Sequence, residues 1–544
     1  MRWDMKWRKE TWETLNQEWD IIVIGGGITG AGILREAANA DLKTLLVEAY
    51  DFAFGTSSRS SKLIHGGFRY MSNGQFDVTY ESVKEREWML KEARNLVTPL
   101  QFLVPLFKDG KMKESSLKIG TIIYDMMAKK WKHQFLSGQQ TLAKCSIIRQ
   151  EGLEKGVTYY DAQMDDSRFV LRIIREAVMA GATAINYTKV TQLLKDDTGR
   201  VNGVVLVDQS GEEDSPLEIR AKVVINATGP WSDEVRSSIR DTDKIRKLRG
   251  CHLVFPFDKF PLNHAVTLLH PDDGRLMFAI PWEGTVLVGT TDLDHPQAAG
   301  RPGNETCCTM EEIDYLLRAI EYTFPNVQVG KKDIISTMAG LRPIISSGAE
   351  NPSDESRAHE VWDEDGLINI GGGKITIFRI MAIDVLNLAR KYLEDVPEFK
   401  TNQRFFEPLP ETLVANDMDD CFDLQTMNYL LGRYGLELGE MLAVGKAEEL
   451  CQISPLPNIW AEVRWCVKSE AVLHLDDLLL RRVRLGLLLP NGGEEVMPKV
   501  KSIFQEEMKW TDEQWNREYQ RYRDIWEQAY APIPRDVKLE LEGV

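Results

Sequence analysis

Residues Gly25-Gly26-Gly27-Ile28-Thr29-Gly30 follow the β-branched run Ile21-Ile22-Val23-Ile24 and fit the spacing G-x-G-x-x-G. Each glycine has a chemical use in that spacing. Gly25 permits a tight turn after a strand, Gly27 lets the backbone approach a pyrophosphate, and Gly30 lets the next helix pack closely on the sheet. Ile28 and Thr29 open that helix, whose free N–H groups and positive dipole end then face the phosphates. A second apolar run, Thr44-Leu45-Leu46-Val47, ends at Glu48 and Ala49. A carboxylate at Glu48 accepts hydrogen bonds from ribose hydroxyls and repels a 2′-phosphate, which favours FAD or NAD over NADP.

A second glycine-rich strand end occurs at Gly371-Gly372-Gly373-Lys374. It is not a phosphate-binding P-loop, because Ile368 and Ile375 stand where glycine and a hydroxyl residue are required. Asp417-Met418-Asp419 opens like a calcium loop, but Phe422 occupies the turn position that needs glycine. No metal site is expected. The seven cysteines (Cys145, Cys251, Cys307, Cys308, Cys421, Cys451 and Cys466) form no C-x-x-C pair, and they read as reduced, mostly buried thiols of a cytosolic protein.

The elements that position these motifs follow from hydrophobic periodicity. A βαβ unit covers Ile21 to Val47, with its helix over residues 28–40. Helices are expected over 80–95 and 169–179, the latter stopped by Gly181. A hairpin joins 190–194 to 201–207 across Asp196-Asp197-Thr198-Gly199, and Val223 to Asn226 is a further buried strand. Short alternating strands over 248–291 suggest an antiparallel sheet. A strand over 366–370 leads into a helix starting near Lys374. The remainder reads as helices over 424–431, 459–469, 476–487, 498–508 and 511–528, with Asp476 and Thr511 as N-caps and Pro498 in a first turn.

The fold class is therefore α/β: a Rossmann-like nucleotide domain interleaved with an antiparallel-sheet substrate domain, plus an all-α C-terminal domain. The boundaries read as an N-terminal helix (1–19), a discontinuous nucleotide domain (20–90, 150–240 and 335–395), a substrate domain (91–149 and 241–334) and a helical domain (400–544).

A hydrophobic fraction of 43% over 544 residues suits a large core. A net charge of −17 argues against a general nucleic-acid partner. No signal peptide or apolar run of spanning length is found. Trp3, Trp7, Trp12, Leu15 and Trp19 fall roughly on one helical face beside Arg2, Lys6, Arg8 and Lys9. Such a face suits either a membrane surface or packing against the protein's own surface.

Longer blocks carry a family resemblance. They are Thr56-Ser57-Ser58-Arg59-Ser60-Ser61-Lys62-Leu63-Ile64-His65-Gly66-Gly67-Phe68-Arg69-Tyr70, Asn226-Ala227-Thr228-Gly229-Pro230-Trp231, Arg249-Gly250-Cys251-His252, Pro281-Trp282 with Gly289-Thr290-Thr291-Asp292, Gly340-Leu341-Arg342-Pro343, and Gly371 to Lys374. Over nearly its whole length the chain resembles the FAD-dependent, respiratory glycerol-3-phosphate dehydrogenases, whose fold is like that of D-amino-acid oxidase. The resemblance implies FAD as cofactor and oxidation of sn-glycerol 3-phosphate to dihydroxyacetone phosphate, with electrons passed to a quinone. It also implies a peripheral position on the inner face of the cell membrane. A homodimer is one assembly the chain could form.

The resemblance places Thr56, Ser57, Ser61, Lys62, Leu63, Ile64, His65, Gly66 and Gly67 near the isoalloxazine ring. Ala227, Thr228, Gly229 and Trp231 join Val190 as further cofactor contacts. Gly373, Lys374 and Thr376 come near the pyrimidine edge, where a helix dipole and an ammonium would offset charge on a reduced flavin. Arg69, Tyr70, Arg342, Arg357 and Lys374 are marked for the substrate. The apolar flank of Arg342 fits a half-buried guanidinium that needs an anion. His65 and His252 are candidates for the base, with Lys374 or Arg342 alternatively holding the alkoxide. Three other readings compete: an oxidase that uses oxygen, an amine or amino-acid oxidase, and a non-enzymatic FAD-binding redox protein.

Overall fold

The structure is a computed structural model that describes residues 2–67, 76–110, 114–130, 132–295, 305–348, 355–409 and 422–532. Arg69, Tyr70, Cys421 and the run Asp417–Asp419 lie outside the described residues.

Two sheets dominate the described residues. The first has parallel strands in the order Leu367–Gly372, Leu217–Asn226, Trp19–Ile24, Thr44–Val47 and Thr183–Ile185, with His359–Glu364 antiparallel at one edge. Ile22 pairs with Val224 on one side and Leu45 on the other. All three are fully buried, because helices cover a parallel sheet and leave no solvent face for polar side chains. The hairpin Thr188–Lys195/Val201–Asp208 extends from the first half of Leu217–Asn226.

Several expected boundaries hold closely, including Ile28–Asn39, Thr44–Val47 and Asp512–Ala529 with its Thr511 capping box. Near Lys374 the helix starts later than expected, since a short 3₁₀ turn at Ile375–Ile377 precedes Phe378–Ala389.

The second sheet is mostly antiparallel. Its main order is Leu293–Asp294, Ile245–Pro256, Thr285–Gly289, Leu276–Trp282, Ala265–Leu269, Val97–Phe107, Leu153–Met164 and Leu63–Ile64. Ser336–Ile345 also pairs with Ile245–Pro256, so that Leu248 lies opposite Arg342 and Gly250 opposite Gly340.

The N-terminal helix spans Met5–Thr14, and its aromatic face is turned inward. Trp3, Trp12, Leu15 and Trp19 are buried, and Trp3 stacks on Trp7. Arg8 is buried too, donating to the carbonyls of Asn186 and Tyr187 and to Asp208. The indoles of Trp3, Trp12 and Trp19 belong to the protein's own core and are not available to a lipid surface, and Trp7 is half-buried against that core.

Two further expectations are corrected. Residues 476–487 are not one α-helix. Asp477–Arg482 forms a π-helical turn, Arg484 follows at φ 55°, and Leu485–Leu488 forms a short separate helix. Asp476 does not cap, because its carboxylate is taken by Arg481 and Arg521. The break lets Arg481 and Arg482 both reach the buried Asp51. The cysteines are not all reduced: Cys251 and Cys308 form a disulfide across a Cα separation of 5.5 Å. Their separation of 57 residues gave no local spacing signal; the fold alone brings them within bonding reach.

Candidate active site

A cavity of about 810 Å³ is lined by both sheets. Its first wall is the turn after strand Trp19–Ile24. Gly25, Gly27, Ile28 and Thr29 line it, with Glu48, Ala49 and Val190 beside them. Gly25 has φ 110°, a conformation that glycine adopts without strain. A Cβ on Gly30 would overlap the Gly25 carbonyl oxygen, so Gly30 serves the close helix–sheet contact and does not itself line the cavity. A Cβ on Gly27 would meet only the Ser57 side chain, its Oγ at 3.2 Å. Glu48 accepts from the N–H groups of Gly26 (2.6 Å) and Tyr50 (2.9 Å). Burial pushes its pKa up to about 7 despite these two donors.

The second wall comes from the segment after Phe54 and from two strand ends. Thr56, Ser57, Ser61, Leu63, His65 and Gly67 line it, with Ala227, Thr228, Gly229, Trp231, Gly373 and Lys374. Lys62, Ile64, Gly66 and Thr376 do not. Lys62 is buried the other way, its Nζ 2.7 Å from the Ser58 carbonyl and 2.8 Å from Asp166. Ile64 is fully buried in the core. The Gly66 N–H donates to the Tyr124 hydroxyl, and Thr376 Oγ1 reaches the His65 carbonyl.

The third region is polar. Gly250 and His252, two residues apart on one strand, face the same side. His252 Nε2 lies 2.8 Å from Ser61 Oγ. Arg275, Arg342 and Arg357 converge on Asp292, at 3.2, 2.9 and 3.1 Å. Gly250 makes room for this cluster, because a Cβ there would strike the Arg342 guanidinium and Thr290 Oγ1. Periodicity did not mark Arg275 or Asp161, and Asp292 was noted only as part of a block. Arg275 follows the turn Pro271–Gly274, which reads as ordinary surface.

Electrostatics separate the titratable groups. Burial, with the nearby charges of Arg342 and Lys62, pushes His252 down to about 3. Burial and Lys374 push His65 down to about 4. Both rings are therefore neutral near pH 7. Burial also lowers Lys374, to about 7, against the opposing pull of Asp161 and Glu81. Burial works against the charge on Asp292, but its three guanidiniums prevail and hold it below the usual carboxylate range.

The profile of the FAD-dependent oxidoreductase family matches residues 20–374. The chain belongs to this family. The C-terminal domain of alpha-glycerophosphate oxidase matches residues 388–515. Aerobic glycerol-3-phosphate dehydrogenase of Staphylococcus aureus (strain USA300) is 37% identical over 494 residues, which cover 86% of this chain and 87% of that protein. A solved glycerol-3-phosphate dehydrogenase from Bacillus halodurans, complexed with FAD, superposes with a TM-score of 0.75 at 31% identity, covering 99% of this chain and 97% of that one. L-alpha-glycerophosphate oxidase from Mycoplasma pneumoniae shares the fold, with a TM-score of 0.56 at 18% identity over 72% of this chain and 99% of that one.

The cavity of this FAD-dependent oxidoreductase fits a dinucleotide. Its size suits a large cofactor, and the glycine turn exposes backbone N–H groups at a helix N-terminus. The Trp231 indole N–H is buried without a hydrogen-bond partner among the described residues. Glu48, Val190 and the 56–67 segment would hold the rest of the cofactor along the cavity. Two variants separate cradle from scaffold. Gly27→Val should keep the wild-type circular dichroism spectrum but lose most of its flavin absorbance, since the branched side chain fills the cradle. Gly30→Ala should lower the melting temperature, because overpacking against backbone costs about 1–3 kcal/mol or more. Full flavin content in Gly27→Val would contradict the assignment.

Proposed function

We propose that this protein uses FAD to oxidise sn-glycerol 3-phosphate to dihydroxyacetone phosphate and passes the electrons to a quinone. The observation that carries the reading is the pairing, in one cavity, of a dinucleotide wall with an arginine cluster at the polar end. Relatives named for this activity at 37% and 31% identity support it.

When bound, FAD supplies the acceptor for the hydride that leaves C2 of the substrate. The chain's own residues do the rest. Arg342 and Arg357 grip the phosphate, with Arg69 and Tyr70 assigned alongside them by family resemblance; a guanidinium fork suits a phosphate better than a point charge does. His252, neutral and held by Ser61, orients the C2 hydroxyl, and His65 flanks it. Lys374 Nζ accepts the hydroxyl proton, since a base works best with a pKa near the working pH. The resulting ammonium, at the strand end Gly371–Gly373, then offsets negative charge gained on the cofactor side.

The reading also assigns domains. Residues 20–90, 150–240 and 335–395 carry the cofactor, and 91–149 with 241–334 carry the substrate. Strands Leu153–Met164 and Ser336–Ile345 lend themselves to the substrate sheet, and residues 400–544 form the helical domain.

The protein works as a peripheral protein at the inner face of the cell membrane. With the N-terminal tryptophans buried, the supporting surface is the end of helix Glu114–Ala128 and the strand after it. Ile122, Met126 and Phe135 are exposed by 37, 60 and 43%, and exposed Lys129 and Lys132 flank them. Apolar side chains ringed by lysines suit an anionic lipid surface. Met126→Asp should weaken flotation with anionic vesicles while leaving activity toward a soluble dye intact. Deleting the Trp3–Trp19 face should instead damage folding.

Anaerobic mixing with sn-glycerol 3-phosphate should bleach the flavin band, and a quinone should restore it faster than air does. The bleaching rate at saturating substrate should rise with pH through a limb near 7 as Lys374 loses its proton. Lys374→Arg should abolish the limb and slow reduction by about 10²–10⁴-fold. A limb that survives in Lys374→Arg would move the base to another group.

A further inference from the structure

Cys251 stands between Gly250 and His252, which face the cavity, so its own side chain points to the opposite side of the sheet. There it is bonded to Cys308, in a core shared with Leu253, Ile313 and Leu316. Both bridge residues are buried, at 0 and 1% exposure. Cys308 belongs to the loop that leads into helix Met310–Thr323. The disulfide therefore ties the strand that carries His252 to the start of that helix.

The same loop reaches the cavity wall by a second route. Glu305 pairs with Arg59 at 3.0 Å, and Arg59 lines the cavity. Between the two tethers Thr306 is buried and Cys307 is half-buried, so the loop meets solvent one residue from the bridge. Noncovalent contacts surround the bridge. The Cys251 N–H donates to Thr291 Oγ1 (2.9 Å), Thr291 Oγ1 donates to Glu312 (2.7 Å), and Glu312 pairs with Arg249 (2.9 Å). Glu312 also closes the helix's capping box with Thr309, and the strand stays paired with Ser336–Ile345 over this stretch. These contacts outlast cleavage of the S–S bond, so opening is local. A chain with a core of this size needs no covalent staple to fold, which leaves the bridge available for control.

We propose that Cys251–Cys308 is a reversible redox switch: a small dithiol opens it, the segment Arg249–His252 loosens from helix Met310–Thr323, and substrate oxidation slows. The inference rests on the function proposed above for the role it gives His252, and adds a control on that role. A thiolate of the dithiol attacks Cys308 Sγ, on the loop side. The S–S bond breaks, its electron pair goes to Cys251 Sγ, and that sulfur takes up a proton. The reductant's second thiolate then displaces Cys308. Two electrons and two protons pass to the protein, and the reductant leaves as a cyclic disulfide. A small organic disulfide reverses the exchange. With the bridge open, His252 keeps its contact with Ser61 Oγ (2.8 Å) but loses the covalent anchor one residue away.

The test uses FAD-loaded wild-type protein, equilibrated without oxygen in mixtures of reduced and oxidised dithiothreitol. Alkylation with peptide mass mapping reads the state of Cys251 and Cys308, and flavin absorbance reads cofactor content. Stopped-flow bleaching by saturating sn-glycerol 3-phosphate reads the reaction. As the bridge opens, the bleaching rate should fall by about fivefold or more, as for a modest coupling between two sites. Flavin content should hold, and backbone hydrogen exchange should rise in 249–252 and 305–309. Hydroxyethyl disulfide should reverse both changes. The double variant Cys251→Ser/Cys308→Ser should bleach at the slow rate in every mixture. Equal bleaching rates across the titration would overturn the proposal. Flavin loss on reduction would overturn it too, making the bridge a structural staple, as would thiols at 251 and 308 that stay alkylatable in every mixture. If glycerol 3-phosphate bleaches neither form, the proposed function fails, and the hydrogen-exchange rise and its reversal alone decide the switch.

Discussion

The adjacent carboxylates Asp165 and Asp166 tie three parts of the chain together. Asp166 accepts from Lys62 Nζ and from the backbone and side chain of Ser60, both in the segment that lines the cavity. Asp165 caps the helix Asp166–Met179 and takes Arg433 from the C-terminal domain. Arg484, from the same domain, binds both carboxylates and also donates to the Ser58 carbonyl. All five charged groups are buried, so losing one partner strands a charge and costs about 3–5 kcal/mol. The helical domain is thus part of what fixes the cofactor-facing segment. The position of Ser61, and through it the His252 ring, depends on this knot.

The site's chemistry follows from how charge is distributed around that fixed frame. Burial keeps both histidines neutral and brings Lys374 near the neutral range. The arginines are gathered instead at one end, where register places Arg342 opposite Leu248 and beside the gap left by Gly250. On the proposed reading, one end of the cavity holds an anion while the middle moves a proton. Neither end alone would serve the proposed oxidation of a phosphorylated alcohol.

Much of the glycine-rich wall of the cavity was legible in the sequence because its logic is local. Gly25, Gly27 and Gly30 do their work within one strand–turn–helix unit, and Glu48 ends the adjacent strand. The arginine cluster on Asp292 was only half legible. Arg342 stood out by its apolar flank, but Arg275 sits after a polar turn and gains meaning only when Leu276–Trp282 is laid beside its neighbours. The Cys251–Cys308 bridge and the π-helical break before Arg484 were hidden for the same reason, since both answer to partners far away in sequence. The N-terminal tryptophans show the converse: an amphipathic face was readable, but not whether it covers lipid or the protein's own sheet.

The central claim is that the substrate's C2–H bond is broken as the flavin is reduced. Stopped-flow bleaching of the flavin band with sn-glycerol 3-phosphate, protiated or deuterated at C2, tests this directly under anaerobic conditions at saturating concentration. The account predicts complete bleaching with a primary isotope effect on its rate. Bleaching at the same rate with both substrates, in a single turnover where no later step contributes, or no bleaching at all, would contradict it.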